Sequence, residues 1–207
     1  MKFTKSEALE IIKQNKEVLS EELREKSLAV CRENFGNSVY VRGLIEFTNY
    51  CRNNCKYCGI RAGNRNVHRY RLTREEILDC CRVGAGLGFK TYVLQGGEDP
   101  GFSDNELCSI VSEIKTEFPE SAVTLSVGER SNDVYREFFK AGADRFLLRH
   151  ETSVDEHYSL LHPSDLSLKN RKRCLYDLKD IGFQVGAGFM VGSPFQKDEY
   201  LAEDIMF

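Results

Sequence analysis

The chain has 207 residues, 41% hydrophobic and 29% charged, with a net charge of −3. That profile fits one globular domain and excludes the strong basic excess of a nucleic-acid binder and the apolar run of about 18 residues that spans a membrane. Met1-Lys2-Phe3-Thr4-Lys5-Ser6-Glu7 lacks the apolar core of a signal peptide, so a cytoplasmic protein is expected, and its eight cysteines are expected to stay out of a disulfide framework.

Thr4-Lys5-Ser6-Glu7 has the form of a capping box, and Ala8, Ile11 and Ile12 give the helix behind it a short apolar face. A second helix is predicted from about Glu21 to Asn34, ending before Gly36, and the pair reads as a helical prefix over residues 1–37. Val39 to Phe47 is the first predicted strand; it delivers a cysteine-bearing loop at its C-terminal end. From there strands and helices alternate. Thr73-Arg74-Glu75-Glu76 caps a helix carrying Ile77, Cys81 and Ala85, and Phe89 to Leu94 is a strand running into Gln95-Gly96-Gly97-Glu98-Asp99. Ser103-Asp104-Asn105-Glu106 caps the next helix, whose Leu107, Ile110, Val111 and Ile114 keep helical spacing; Pro119 follows its end. Ala122 to Val127 is a third strand leading to Gly128-Glu129. Asn132 to Ala141 is a helix stopped at Gly142, and Asp144 to Leu148 is a fourth strand ending in Arg149-His150-Glu151-Thr152. Ser153-Val154-Asp155-Glu156 is expected to cap a short helix before Pro163, and Leu168 to Ile181 forms a longer one closed by Gly182. Phe183 to Met190 is the fifth strand, and a last helix begins near Gln196 and runs toward Phe207.

Strand, helix, strand, helix with right-handed crossovers predicts an α/β fold over residues 38–207, a parallel sheet with helices outside it. Gln95, Glu98, Glu129, Arg149, His150 and Glu151 all fall just past strand C-termini, the rim on which a TIM-type (β/α) barrel assembles its chemistry. A doubly wound open sheet crowds its strand ends in the same way, so position alone leaves both open. Five strands fall short of the eight that close a barrel, and the expectation is an incomplete barrel, truncated before closure.

Cys51, Cys55 and Cys58 stand with three and then two residues between them, a spacing that lets one loop turn all three thiols toward one point. Thiolates suit a soft site such as an iron–sulfur cluster. Three ligands leave one iron of a 4Fe-4S cluster open to a small molecule, whereas structural zinc closes its shell with four, often as two spaced pairs, and no second pair follows here. Cys31, Cys80, Cys81, Cys108 and Cys174 fall in helical stretches and are expected to be mostly small buried hydrophobes. His68, His157 and His162 lie in polar stretches and are expected at the surface.

The C-x3-C-x2-C motif with Tyr57 before its last cysteine resembles the radical S-adenosylmethionine (SAM) enzymes. Arg69-Tyr70-Arg71-Leu72-Thr73, Gln95-Gly96-Gly97-Glu98-Asp99-Pro100, Leu147-Leu148-Arg149-His150-Glu151-Thr152 and Gly186-Ala187-Gly188-Phe189-Met190-Val191-Gly192 extend the likeness to the biotin synthase-like group. Within it, the likeness is to the FeFe-hydrogenase maturase family HydE, over about Phe3 to Pro194. The resemblance implies a radical SAM barrel in which Cys51, Cys55 and Cys58 hold a 4Fe-4S cluster and SAM's amino and carboxylate groups chelate the open iron. It implies that Tyr57 packs near the cluster and the adenine, that Gly96 and Gly97 let the backbone approach the methionyl part, and that Glu98 lies near the ammonium. Glu151 accepts from the ammonium or ribose, and Arg171 pairs with the carboxylate. Gly186, Ala187 and Gly188 leave room for adenosine. Arg149, His150, Ser126 and Glu129 are candidates for the substrate cavity, with the alternation of a strand end allowing only one of Arg149 and His150 to face it.

The implied reaction is cleavage of SAM to a 5'-deoxyadenosyl radical acting on a small-molecule or organometallic substrate in H-cluster maturation. A low-potential electron donor and the other hydrogenase maturases are the implied partners. Another biotin synthase-like enzyme, of the biotin synthase or methylornithine synthase type, and a non-catalytic metal-binding fragment remain the alternatives.

Overall fold

The computed structural model describes residues 3–207. Eight helices and five strands follow one another as α1 (Lys5–Gln14), α2 (Glu21–Phe35), β1 (Gly43–Thr48), α3 (Arg74–Gly86), β2 (Thr91–Gly96), α4 (Asp104–Glu117), β3 (Ala122–Ser126), α5 (Asn132–Lys140), β4 (Arg145–Leu147), α6 (Asp155–Leu161), α7 (Leu168–Ile181), β5 (Gln184–Gly186) and α8 (Asp198–Met206). All five strands run parallel in the order β1-β2-β3-β4-β5. A sheet in which sequence neighbours are spatial neighbours, each joined through a helix, is the start of a (β/α) barrel rather than a doubly wound sheet, whose strand order reverses. It is open, with β1 and β5 as its edges.

Strand alternation divides the sheet's two faces. Ile45, Phe47, Tyr92, Leu94, Val123, Leu125 and Phe146 point to the helices and are buried, joining Ile77 of α3, Ile110 of α4, Phe138 of α5 and Leu178 of α7 in one core. Each such side chain, fully removed from water, contributes about 1.5–3 kcal/mol. The opposite face carries Glu46, Gln95, Thr124, Ser126 and Arg145. That polar face is the inner wall of the partial barrel.

Helix starts follow the sequence closely. Thr4, Thr73 and Ser103 accept hydrogen bonds from backbone N–H groups three residues on, and Thr4 and Thr73 complete capping boxes with Glu7 and Glu76. Ser153 does not cap α6: its N–H donates to Asp204, and Val154 stands at the N-cap with no side-chain bond. α1 lies against α8, with Lys16 paired to Asp198 at 2.9 Å.

Four strands are shorter than predicted, β3 and β4 by one and two residues and β1 and β5 by more. Val39, Tyr40 and Val41 are exposed, because the ladder begins only where Gly43 meets Tyr92. The stretch from Phe183 to Met190 keeps three strand residues, since β4 is itself three residues long; beyond it only Glu151 and Phe189 form an isolated parallel bridge. The expected burial of cysteines and exposure of histidines both need correction. Cys81 and Cys174 are buried, but Cys31 and Cys80 are exposed on the outer sides of their helices. His157 and His162 are buried, His157 beneath Tyr200 and His162 stacked on Tyr158; only His68 is exposed.

The end of β1 is locked to the end of β2 through Asp99. Its carboxylate accepts from Thr48 Oγ1 at 2.6 Å, from Arg71 Nε and Nη2 both at 2.7 Å, and from the Gly101 N–H at 2.8 Å. Burial alone raises the Asp99 carboxyl, but these donors outweigh it and hold the group at about 2 against an ordinary 3.8. Asp99→Asn is expected to lower stability at neutral pH by roughly 1.5–3 kcal/mol in urea unfolding, the loss typical of a hydrogen bond to a charge. Because the folded value lies below the unfolded one, this stabilisation is full above the ordinary 3.8 and vanishes as pH falls through about 2, so variant and parent stabilities converge across that window.

Candidate active site at the cysteine loop

The chain leaves β1 at Thr48 and returns to α3 at Arg74, and the intervening loop carries all three cysteines of the motif. A strap closes its base. The Leu72 N–H donates to Phe47 O at 2.8 Å, the Tyr70 N–H donates to Asn49 Oδ1 at 2.8 Å, and Thr48 and Arg71 form an antiparallel bridge. Arg69 fills the interior of the loop. Its guanidinium donates to the carbonyls of Ile60 at 2.9 Å, Arg61 at 2.8 Å and Asn64 at 3.1 Å, and also to that of Asn49. A planar fork with five donors suits this work, because irregular loop carbonyls have no ladder to satisfy them.

Gly97 brings the loop against the sheet. A Cβ there would lie 2.2 Å from Tyr50 O and 2.6 Å from Cys51 Cβ, and one at Gly96 would lie 2.6 Å from Thr48 Cγ2. The space these two glycines leave is thus filled by the chain itself. The Arg52 N–H donates to Glu98 O at 2.9 Å, completing the contact.

Cys51, Cys55 and Cys58 are each partly buried. Burial raises the Cys51 thiol and pushes Cys55 up to about 11, so loading a metal displaces protons from both. Among the described residues no group of three His, Cys, Asp or Glu side chains is placed to hold a metal ion, so the three thiols are not gathered at the single point their spacing led one to expect. As donors they are soft thiols of the type an iron–sulfur cluster takes.

Tyr57 leans on His162. The His162 Nδ1 lies 2.9 Å from Tyr158 O, which only accepts, so Nδ1 carries the proton and Nε2 accepts from the Tyr57 hydroxyl at 3.1 Å. Burial lowers His162 to about 4, which keeps the ring neutral and the arrangement fixed at physiological pH.

Beside Cys58 lies a cavity of about 340 Å³ whose lining also includes Tyr57, Gly96, Ser126, Arg149 and Glu151. Glu46, Thr48, Asn49, Ile60, Tyr70 and Gln95 complete it. A second cavity, of about 300 Å³, adjoins it at Tyr57 and Arg149 and runs under Phe189 to Pro194. Glu151 sits in the left-handed region at φ 66°, a conformation that costs a non-glycine residue on the order of 1 kcal/mol. It is held there from both sides: its N–H donates to Gly188 O at 3.1 Å and its carbonyl accepts from the Met190 N–H at 3.0 Å. Burial raises the Glu151 carboxyl, opposed by Arg149, whose Nη2 lies 3.0 Å away, and by Arg171.

Four residues expected around SAM or the substrate are bonded away from this cavity. The buried Glu98 carboxylate accepts from Arg52 Nη2 at 2.9 Å and from the Glu129 N–H at 3.0 Å. Arg171 and Glu129 are paired to each other at 2.5 Å, both buried, and Arg171 also donates to Arg149 O at 2.7 Å. His150 points away from the cavity, against Phe207 and Phe189, and burial lowers its pKa. Alternation along the strand end thus gives the cavity Arg149 and Glu151 and sends His150 to the helix side. The roles of Arg69 and His162 had no signal in the sequence beyond an arginine in a loop and a histidine before a proline.

A partial (β/α) barrel with a three-cysteine loop and an adjoining cavity at the C-terminal rim is the architecture of a barrel enzyme that works through a loop-held metal centre. Residues 45–207 match the Radical SAM superfamily, and the chain belongs to it. It is 43% identical over 205 residues to the FeFe hydrogenase maturase subunit HydE of Thermotoga maritima, covering 99% of this chain and 58% of that protein. It is 32% identical over 179 residues to 3-methylornithine synthase of Methanosarcina acetivorans, covering 84% and 50%. The solved structure of methylornithine synthase (PylB) superposes with a TM-score of 0.87 at 27% identity, over 100% of this chain and 60% of that one. The chain therefore spans between half and three fifths of the length of these relatives.

Because a methyl group at residue 97 meets backbone rather than a movable side chain, Gly97→Ala is expected to push Tyr50 and Cys51 off the sheet. Iron and sulfide bound per chain after anaerobic reconstitution should fall several-fold, while far-UV circular dichroism stays near that of the parent. Full iron loading in the variant would show that this close approach does not set the loop.

Proposed function

We infer that Cys51, Cys55 and Cys58 hold a 4Fe-4S cluster and that SAM occupies the cavity beside it, in a cytoplasmic radical SAM enzyme of FeFe-hydrogenase maturation. When bound, the cluster supplies the electron that cleaves SAM to methionine and a 5'-deoxyadenosyl radical. The observation that carries the reading is the cysteine loop itself, three half-buried thiols on a loop held by Arg69 and Gly97, with Cys58 lining a cavity that Glu151 and Arg149 also line.

The chain's own residues then bind and orient. Glu151, fixed by its strained backbone, offers a carboxylate to the ammonium or ribose hydroxyls of SAM. Tyr57, anchored by His162, presents its ring at the cavity wall between the two pockets, where an adenine can pack. Arg171 acts from behind: its bond to Arg149 O fixes the strand end. Gly96, Gly97 and Glu98 position the loop, and Ser126 and Arg149 reach the space left for a small-molecule or organometallic substrate. His150 supports this rim from the helix side. A low-potential electron donor and the other hydrogenase maturases are the partners this function requires.

The likeness to methylornithine synthase in sequence and structure favours a second reading, a radical SAM enzyme acting on an amino acid. Co-expression with the other maturases and an apo-hydrogenase separates the two, since only the first yields hydrogenase activity. For either, anaerobic reconstitution with iron and sulfide should give a reduced-cluster EPR signal that SAM alters. Glu151→Gln is expected to keep the cluster and its signal yet weaken the SAM-induced change about 10-fold in SAM concentration, the loss of one charge-assisted hydrogen bond. A signal indifferent to SAM in the parent protein, or zinc bound without iron, would overturn the reading.

A further inference from the structure

The loop that carries the cysteines is also the basic part of an acidic chain. Between Glu46 and Glu75 the sequence holds seven Lys or Arg residues and no Asp or Glu, whereas the chain as a whole has a net charge of −3. Four of the seven have work within the fold. Arg52 pairs with Glu98, Arg71 with Asp99 and Arg74 with Glu113, while Arg69 is turned inward onto loop carbonyls. Lys56, Arg61 and Arg65 have no ion pair among the described residues. Lys56 and Arg65 are exposed, and Arg61 is half-buried with its guanidinium 3.5 Å from Cys58 O.

Three like charges on one loop repel one another, and packing does not require them. Their place matters: Lys56 lies between Cys55 and Cys58, and Arg61 follows three residues after Cys58. A positive patch of this kind raises the encounter rate of an acidic partner and orients it, with the interaction weakening as salt screens it. We propose that Lys56, Arg61 and Arg65 form the docking surface of an acidic electron-carrier protein, seated so that its redox centre faces the cysteine loop. This rests on the cluster reading above. One electron leaves the reduced carrier, which is oxidised by one unit, and enters the cluster, which is reduced by one. Nucleic acid is the weaker occupant, since three uncompensated cations are few for a polyanion.

The test uses the full chain and, as probe, a reduced plant-type ferredoxin, which is acidic and of low potential. Stopped-flow reduction of the reconstituted cluster should slow by about 10-fold or more in Lys56→Glu with Arg65→Glu, and less in the double glutamine variant. Raising salt from about 50 to about 300 mM should slow the parent and leave the reversed variant nearly unchanged. Photoreduced deazaflavin, a small reductant, should reduce parent and variants alike. Lys140→Glu, at the end of α5 on the far end of the sheet, should match the parent. Ferredoxin binding to the cluster-free chain, followed by fluorescence anisotropy, should weaken by the same factor in the reversed variant. Equal ferredoxin rates and equal binding in parent and reversed variant would overturn the docking surface while leaving the cluster standing. Failure of both reductants to reduce the protein would instead count against the cluster, and binding to the cluster-free chain would still decide the surface; reduction by deazaflavin but not by ferredoxin would overturn the docking surface. Displacement of ferredoxin by an equal concentration of a single-stranded oligonucleotide would assign the patch to nucleic acid and overturn the proposal as well.

Discussion

Everything at the rim depends on how closely the backbone of Tyr50 and Cys51 approaches residue 97. No side chain fits between them, so the cysteine loop is set on the sheet by contact of main chain with main chain. The Asp99 carboxylate, two residues on, then gathers Thr48 from before the loop and Arg71 from its far end. A loop of more than twenty residues is thereby tied at its entry, its exit and its first cysteine to one short segment after β2. Loop closure of this length costs little more entropy than a shorter one, but only if its ends are held, and here buried charge-assisted bonds hold them.

The same segment separates two faces of the site. Gly96 and Gln95 line the cavity, while Glu98 and Asp99 are buried off it and take their arginines from the cysteine loop. Carboxylates that are paired in this way are structural anchors. Glu151, by contrast, faces the cavity and shares only one arginine, Arg149, which is itself half exposed. With Glu46 it is one of two carboxylates that line the cavity, and it is the buried one of the two.

Much of this was legible from the chain alone. The capping boxes at Thr4 and Thr73, the helical spacing of Leu107, Ile110, Val111 and Ile114, and the alternation of strand and helix each reflect a local rule, and local rules are readable in sequence. The cysteine spacing is local as well. What escaped were facts of tertiary contact. Ser153 looks like an N-cap, yet its N–H goes to Asp204, fifty-one residues away. Gly96 and Gly97 were expected to let the backbone approach a ligand, and the sequence did not announce that Thr48, Tyr50 and Cys51 also crowd against them. His157 and His162 sit among polar neighbours in the chain, but helix α6 turns them inward, where aromatic rings stack on them. A residue's exposure is decided by which face of its element meets another element, and sequence polarity alone reports that poorly.

The end of β4 illustrates how such contacts make geometry. Arg149, His150 and Glu151 are consecutive, and the strand's period of two sends them to opposite sides. His150 is packed between Phe189 and Phe207 on the helix side, so the segment cannot slide by one residue without drawing an imidazole out of that packing and driving Arg149 into it. Arg171, itself neutralised by Glu129, grips the carbonyl of Arg149. The bridge from Glu151 to Phe189 fixes the next residue in a conformation it would otherwise avoid. Register, packing and a buried ion pair therefore all act on three residues, and their joint effect is to hold the Glu151 carboxylate across the cavity from the cysteine loop. Placement of that kind, made before any ligand arrives, is what lets a binding site orient its ligand without spending binding energy on arranging itself.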